Sequence, residues 1–211
     1  MICISIGNRD LFQQVNTIMP DLVEIRYDLM DIQPDEVDNL LHQDIRQIAT
    51  CRPGKYSPTQ RVDLLKRSID LHSAYVDIEI ESETEVIDEL KSYVLTRKCN
   101  LIISYHNYER TPGRSELQAI EESCYARGGN IAKLACMVSN EQDNANLLSL
   151  YASEGRKVII GMGEKGRITR MVAEELGAEF SFVSATQSAA TAPGQLSYNA
   201  YLAIKEILLD K

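Results

Sequence analysis

The feature that most constrains the fold of this chain is an eightfold alternation. Short runs of β-branched and other apolar residues recur along its length, each followed by an amphipathic stretch. The runs are ICISI (2–6), LVEIR (22–26), IRQIAT (45–50), AYVDIEI (74–80), NLIISYH (100–106), NIAKLAC (130–136), KVIIGM (157–162) and FSFVSA (180–185). The intervening segments carry helix signals. Ser57 with Gln60, Ser82 with Glu85 and Ser139 with Gln142 have capping-box spacing, and Pro58 suits a first helical position. Ile168, Met171, Val172 and Leu176 follow helical spacing, and Gly177 then provides a stop. PDEVDNLL (34–41) and LSYNAYLAIKEILL (196–209) complete the set with apolar helical faces.

Strict βα alternation predicts a parallel sheet, and eight units predict a closed (β/α)8 TIM barrel, a single domain over residues 1–211. An open doubly wound sheet is the alternative. The chain lies near the short end for a barrel, so its connections must be tight. No Pro/Gly/Ser-rich linker interrupts it.

In a barrel enzyme the chemistry sits at the C-terminal ends of the strands. Here Arg26, Arg52, Glu79, His106 and Lys133 stand at or near the ends of runs two to six, at successive intervals of 26, 27, 27 and 27 residues. Any one of them alone reads as a solvated cap, a helix partner or a satisfied core polar group; five in matched positions predict a common pocket. Lys133 is the most telling, because a lysine inside an apolar run loses hydration that something must offset. With Arg26, Arg52 and His106 around it, burial and positive neighbours are expected to disfavour the ammonium and leave free amine. A free amine in a small-molecule pocket attacks carbonyls to form a Schiff base, and a histidine one strand away can move protons at the activated carbons. Carbonyl chemistry of the aldol, elimination or isomerisation type follows.

Composition sets the remaining bounds. A net charge of −9 argues against nucleic acid or an anionic membrane as partner. Five scattered cysteines without a CxxC point to reduced packing thiols, with no disulfide framework and no metal site. No apolar run suits a membrane helix and the N-terminus does not resemble a signal peptide, so a cytoplasmic protein is expected.

SYHNYERTP (104–112), AKLACM (132–137), GMGEKGRITR (161–170) and TAPGQ (191–195), with EIRYD (24–28) and TCR (50–52), resemble type I 3-dehydroquinate dehydratase from near the N-terminus to within about a helix of the C-terminus. The resemblance implies that Lys133 forms an imine with the C3 ketone of 3-dehydroquinate. It makes His106 the base at C2 and then the acid toward the departing C1 hydroxyl, giving 3-dehydroshikimate, without a metal or organic cofactor. It assigns Arg170 to the substrate carboxylate; Glu24, Arg26, Arg52, Gln195 and Thr191 to the ring substituents; and Met162 and Phe182 to apolar walls. Ser5, ending the first run, is a further candidate hydroxyl. The resemblance also suggests a homodimer.

Two departures stand out. The family usually places a glutamate a few residues after the run-three arginine to orient the histidine; here CRPGKYSP puts Tyr56 there, and Glu79 is the candidate replacement. The chain also begins directly with the first run, so a more exposed barrel floor is expected than in longer members. Three competing readings follow. GMGEKG satisfies the dinucleotide-binding spacing, but in the seventh unit and without a ribose-binding acid after the next strand; its glycines are expected to let the loop approach substrate. The missing glutamate leaves a non-catalytic binding barrel open. A class I aldolase shares the lysine logic but would want a phosphate site. Residues 188–195 are small enough for either a lid or a surface turn.

Overall fold

The computed structural model describes residues 1–209, and the eight expected runs form eight strands. These are β1 (Ile2–Ile6), β2 (Leu22–Arg26), β3 (Arg46–Thr50), β4 (Tyr75–Glu79), β5 (Asn100–Asn107), β6 (Ile131–Met137), β7 (Lys157–Met162) and β8 (Ser181–Ser184). Between them lie α1 (Phe12–Ile18), α2 (Pro34–Leu40), α3 (Pro58–Asp70), α4 (Thr84–Val94), α5 (Arg114–Ala126), α6 (Glu141–Leu148), α7 (Arg167–Val172) and α8 (Tyr198–Leu209).

All neighbouring strands pair in parallel, in the order β7-β6-β5-β4-β3-β2-β1-β8. At the β7/β8 seam the Glu179 N–H donates to the Lys157 carbonyl at 2.9 Å, bringing the sheet close to closure as a (β/α)8 barrel. Strand alternation divides the apolar side chains into two clusters. Ile4, Val23, Ile25, Ile78, Ile103, Leu134 and Ile159 face outward and share one cluster with helix residues such as Val62, Leu65, Leu90 and Leu117. Cys3, Leu22, Ile48, Tyr75, Ile102, Ile131, Val158 and Phe180 fill the lower barrel. Both faces of each strand are therefore covered, which is why the strands read as apolar runs.

The barrel floor is filled from within. Phe180 and Tyr75 plug it, and below them Arg46 donates to the Tyr75 hydroxyl (3.1 Å), which donates to Glu179 (3.1 Å), which also takes Arg156 (2.6 Å). A polar lattice drawn from several strand starts thus closes the bottom.

Helix ends are where expectation and structure part. Ser57 and Gln60 form the capping box foreseen, with Pro58 opening α3. Ser82 does not cap: Glu83 precedes α4 without a side-chain cap bond, and the Ser82 hydroxyl is buried without a partner. The third box is shifted by one residue, to Asn140 and Asp143. α7 ends at Val172, short of Leu176, and the spaced apolar residues do not define its buried face, since Ile168 is 44% exposed while Thr169 and Arg170 are buried. The reason is functional geometry: α7 turns its polar residues toward the strand ends.

Candidate active site

In barrels of this kind, inward side chains stack in layers of four drawn from alternate strands. Glu24, Asp77, Lys133 and Phe182, from β2, β4, β6 and β8, meet in one such layer. Lys133 Nζ donates to Asp77 Oδ2 at 2.7 Å, lies 3.6 Å from Glu24 Oε1 and sits 4.2 Å from the centre of the Phe182 ring. Each carboxylate is fixed by hydroxyls. Ser104 donates to Asp77 Oδ1 at 2.6 Å; Thr50 donates to Glu24 at 3.0 Å, and Ser5 to its other oxygen. Arg52 completes the set, 3.0 Å from Asp77 and donating to Ser104 at 2.9 Å. The expectation of a wholly cationic setting for Lys133 is therefore corrected: two carboxylates pair with the amine. Burial alone would raise the Asp77 carboxyl, but Arg52 and Lys133 outweigh it and hold Asp77 well below the usual carboxylate range.

Above this layer opens a cavity lined by Glu24, Arg26, Arg52, His106, Tyr108, Lys133, Ala135, Ile160, Met162, Arg170, Phe182, Thr191, Ala192 and Gln195. The His106 imidazole is held well below its ordinary value, first by burial and then by Arg52 and Lys133, so at neutral pH it is uncharged and able to accept a proton. Its Nδ1 has no hydrogen-bond partner within range, and the nearest carboxylate oxygen is Glu79 Oε1 at 3.5 Å. Tyr108 lies nearly parallel to the imidazole, with 13° between the planes and 6.1 Å between ring centres.

Arg170 projects from α7 and is 3% exposed, yet among the described residues no carboxylate pairs with it. Its one hydrogen bond among the described residues is a long one from Nη1 to the Phe182 carbonyl (3.4 Å), and Nε makes none. Burial pushes the guanidinium down to about 10, so it stays charged at neutral pH with its hydrogen-bonding capacity unspent. Arg26 differs, because Asp28 holds it through two bonds of 3.0 and 2.6 Å. On the β8–α8 loop the Thr191 N–H donates to Gln195 Oε1 at 2.8 Å, and the Thr191 hydroxyl donates to Ser5 at 2.9 Å.

A small cavity that pairs a buried lysine with an uncharged histidine and an unpaired arginine is the arrangement that the comparisons address. The family model for type I 3-dehydroquinase matches residues 3–208. The chain belongs to the type I 3-dehydroquinase family. A 3-dehydroquinate dehydratase of Methanococcus maripaludis is 32% identical, with 99% of this chain and 98% of that relative aligned. Among solved structures, the 3-dehydroquinate dehydratase of Aquifex aeolicus superposes with a TM-score of 0.84 at 25% identity over 98% of each chain. That of Geobacillus kaustophilus gives 0.88 at 23% identity over 99% of this chain and 91% of its own, a likeness of fold.

Of the residues expected from sequence, Glu24, Arg26, Arg52, His106, Lys133, Met162, Arg170, Phe182, Thr191 and Gln195 all line the cavity. Two do not. Ser5 is fully buried beneath it, its hydroxyl committed to Glu24 and Thr191. Glu79 stands behind His106. Tyr56, at the family's glutamate position, lines a separate cleft with Asp35, Gln60 and Arg67. The glycines of GMGEKG serve close backbone packing: a Cβ on Gly166 would lie 2.4 Å from the Gly161 carbonyl carbon, and Gly194 of the β8–α8 loop packs onto Gly163, where its Cβ would lie 2.2 Å from the Gly163 carbonyl oxygen. Asp77, Thr50 and Ser104 were not foreseen, although each precedes a recognised strand-end residue by two and so shares its face. Tyr108, two residues after His106 in a loop, carried no such signal.

Proposed function

We propose that this chain dehydrates 3-dehydroquinate to 3-dehydroshikimate, the third step of the shikimate pathway, through a Schiff base on Lys133. The reading rests on one observation above all: a buried lysine amine and a buried, unpaired arginine face the same cavity, as a substrate bearing both a ketone and a carboxylate requires. The family and its named relatives support the same substrate.

In the proposed sequence Arg170 takes the carboxylate as a bidentate pair, while Arg26, Glu24, Thr191 and Gln195 meet the ring hydroxyls. The Lys133 amine adds to the C3 carbonyl, and the adduct loses water to give an iminium. His106 removes a proton from C2, and the electron pair enters the iminium to form an enamine. The enamine expels the C1 hydroxyl, which His106 protonates, and hydrolysis releases product and lysine; the net change is loss of one water. The iminium is the electron sink, so the scheme calls on no metal or organic cofactor. Glu79 is assigned as the group that orients His106: a carboxylate near Nδ1 favours the tautomer with its proton there and leaves Nε2 free to accept. A homodimer working in the cytoplasm belongs to the same proposal; gel filtration tests the dimer.

The test is incubation with 3-dehydroquinate and borohydride, followed by peptide mass spectrometry and by the ultraviolet absorbance of the conjugated product. An adduct on Lys133 and product formation are expected in the wild type. Lys133→Ala should lose both, and His106→Ala should keep the adduct while turnover drops by roughly 10²–10⁴. A wild-type protein with neither adduct nor product would refute the reading.

A further inference from the structure

Resting on that reading, we infer that Asp77 is the counter-ion of the iminium formed at Lys133, the group that keeps the nitrogen protonated while C2 loses its proton. The carboxylate is placed for this role and for little else. It is fully buried and does not line the cavity, so it does not meet the substrate ring. Ser104 (2.6 Å) and Arg52 (3.0 Å) hold Oδ1, which leaves Oδ2 directed at Lys133 Nζ at 2.7 Å.

Imine formation replaces two N–H bonds of the neutral amine by the double bond to carbon, and the protonated imine keeps one N–H. With Asp77 below the nitrogen and the cavity above, that N–H remains on Oδ2 and the substrate carbon takes the cavity side. The Phe182 ring, 4.2 Å from Nζ, flanks the same cation with its π face. Glu24 is the other acid within reach, at 3.6 Å, with both oxygens engaged by hydroxyls. Among the titratable and charged groups around the pair, Glu24 and Arg26 come from β2 and Arg52 follows β3. Glu79 comes from β4 and His106 from β5, while Cys3, a buried thiol of β1 raised well above its ordinary value, does not ionise. Among the described acids, Asp77 alone makes a direct hydrogen bond to Nζ.

A fixed carboxylate at this distance opposes loss of the iminium proton, and Asp77 is itself too weak a base to take it. Only the protonated form withdraws electrons from C2 strongly enough for His106 to act, so the counter-ion and the base work on the same step.

The experiment is borohydride trapping as a function of pH, because borohydride reduces the iminium and leaves the neutral imine. The wild type should trap at near-constant yield from pH 6 to 9. Asp77→Asn should still trap at pH 6, with the yield at pH 9 reduced about tenfold or more, the effect of moving the proton loss down by about two units or more. Asp77→Glu should restore the wild-type profile with slower turnover. Asp77→Asn trapping with the wild-type profile would overturn the counter-ion role. A wild type that forms no adduct would instead overturn the dehydratase reading on which it rests. Should Asp77→Asn fail to fold, the wild-type iminium is titrated by absorbance against the imine of butylamine with the same ketone. Proton loss well above that of the model supports Asp77, and loss in the same range refutes it.

Discussion

Arg170 offers a prediction in which stability and affinity move in opposite directions. Its guanidinium is buried with one long bond to a carbonyl and no carboxylate, and burial lowers it to about 10. For a basic group a folded value below the unfolded one means that the charged form is less comfortable in the fold than in the open chain. The cost is complete at any pH below about 10, including neutrality, and is relieved as pH rises from there toward the unfolded value. At about 1.4 kcal/mol per pH unit it amounts to roughly 3 kcal/mol, an upper figure because water relaxes around such groups. Arg170→Met, which keeps most of the volume, should therefore raise the Tm of the unliganded protein by several degrees, at roughly 2–4 °C per kcal/mol for a domain of this size. The same change removes a charge-assisted bidentate pair with the substrate carboxylate, at about 2–5 kcal/mol. KM should rise about 30-fold to a few thousand-fold, and product should stabilise the wild type in thermal melts but not the variant. The assay is initial rate by product absorbance together with melting curves with and without product. An Arg170→Met protein that melts below the wild type without ligand, or whose KM stays within about threefold, would refute the reasoning.

Three further outcomes follow from the geometry. Glu79→Gln removes the carboxylate 3.5 Å from His106 Nδ1, and kcat should fall about tenfold, short of the loss of the base itself. Burial and the neighbouring cations lower His106, so the acid limb of kcat/KM is expected below the ordinary imidazole range; because a nearby negative charge favours imidazolium, the variant's limb should move lower still, and an unchanged profile would rule out the orienting role. Gly194→Ala forces a Cβ against the Gly163 carbonyl oxygen at a φ of +74°, so the loop carrying Thr191 and Gln195 should shift and KM rise about tenfold or more, while Lys133 still traps at saturating substrate. Glu121→Gln strips the partner from Lys157, a fully buried lysine 2.5 Å from Glu121 on the helix side of β7. It should lower stability by about 3 kcal/mol with KM unchanged, since the Lys157 ammonium also donates to the Leu150 and Ser153 carbonyls.

The barrel was legible because each strand is covered on both faces and so appears as an apolar run, and because tight connections keep the runs at a nearly constant interval. Helix ends were less legible for a physical reason. Around residues 139–143 two nested patterns compete, and Asn140 wins because its side chain caps the Asp143 N–H while the Asp143 carboxylate takes the N–H groups of both Ser139 and Asn140. In α7, apolar spacing pointed to the wrong face, because Arg170 and Thr169 are buried there for reasons of the site: Thr169 takes the Gly161 N–H at 2.7 Å, and Arg170 reaches the cavity.

The misreading of Lys133's surroundings shows where sequence spacing stops being sufficient. Equal intervals along the chain do not mean equal height in a tilted barrel. His106 is in register with Ala135, two residues beyond Lys133, so the matched row of Arg26, Arg52, Glu79 and His106 continues in β6 at Ala135, a cavity-wall residue. Lys133 lies one inward step lower, in the layer of Glu24 and Asp77. Placing the amine below the row of cations reverses the electrostatic argument: the arginines face the anionic substrate, and the lysine is paired from beneath by acids. Asp77 Oδ2 lies beneath the row, 2.7 Å from Lys133 Nζ. The same carboxylate stabilises the iminium that follows. A proton released on the way to the iminium must pass to a group other than Asp77, whose own basicity Arg52 and Lys133 suppress.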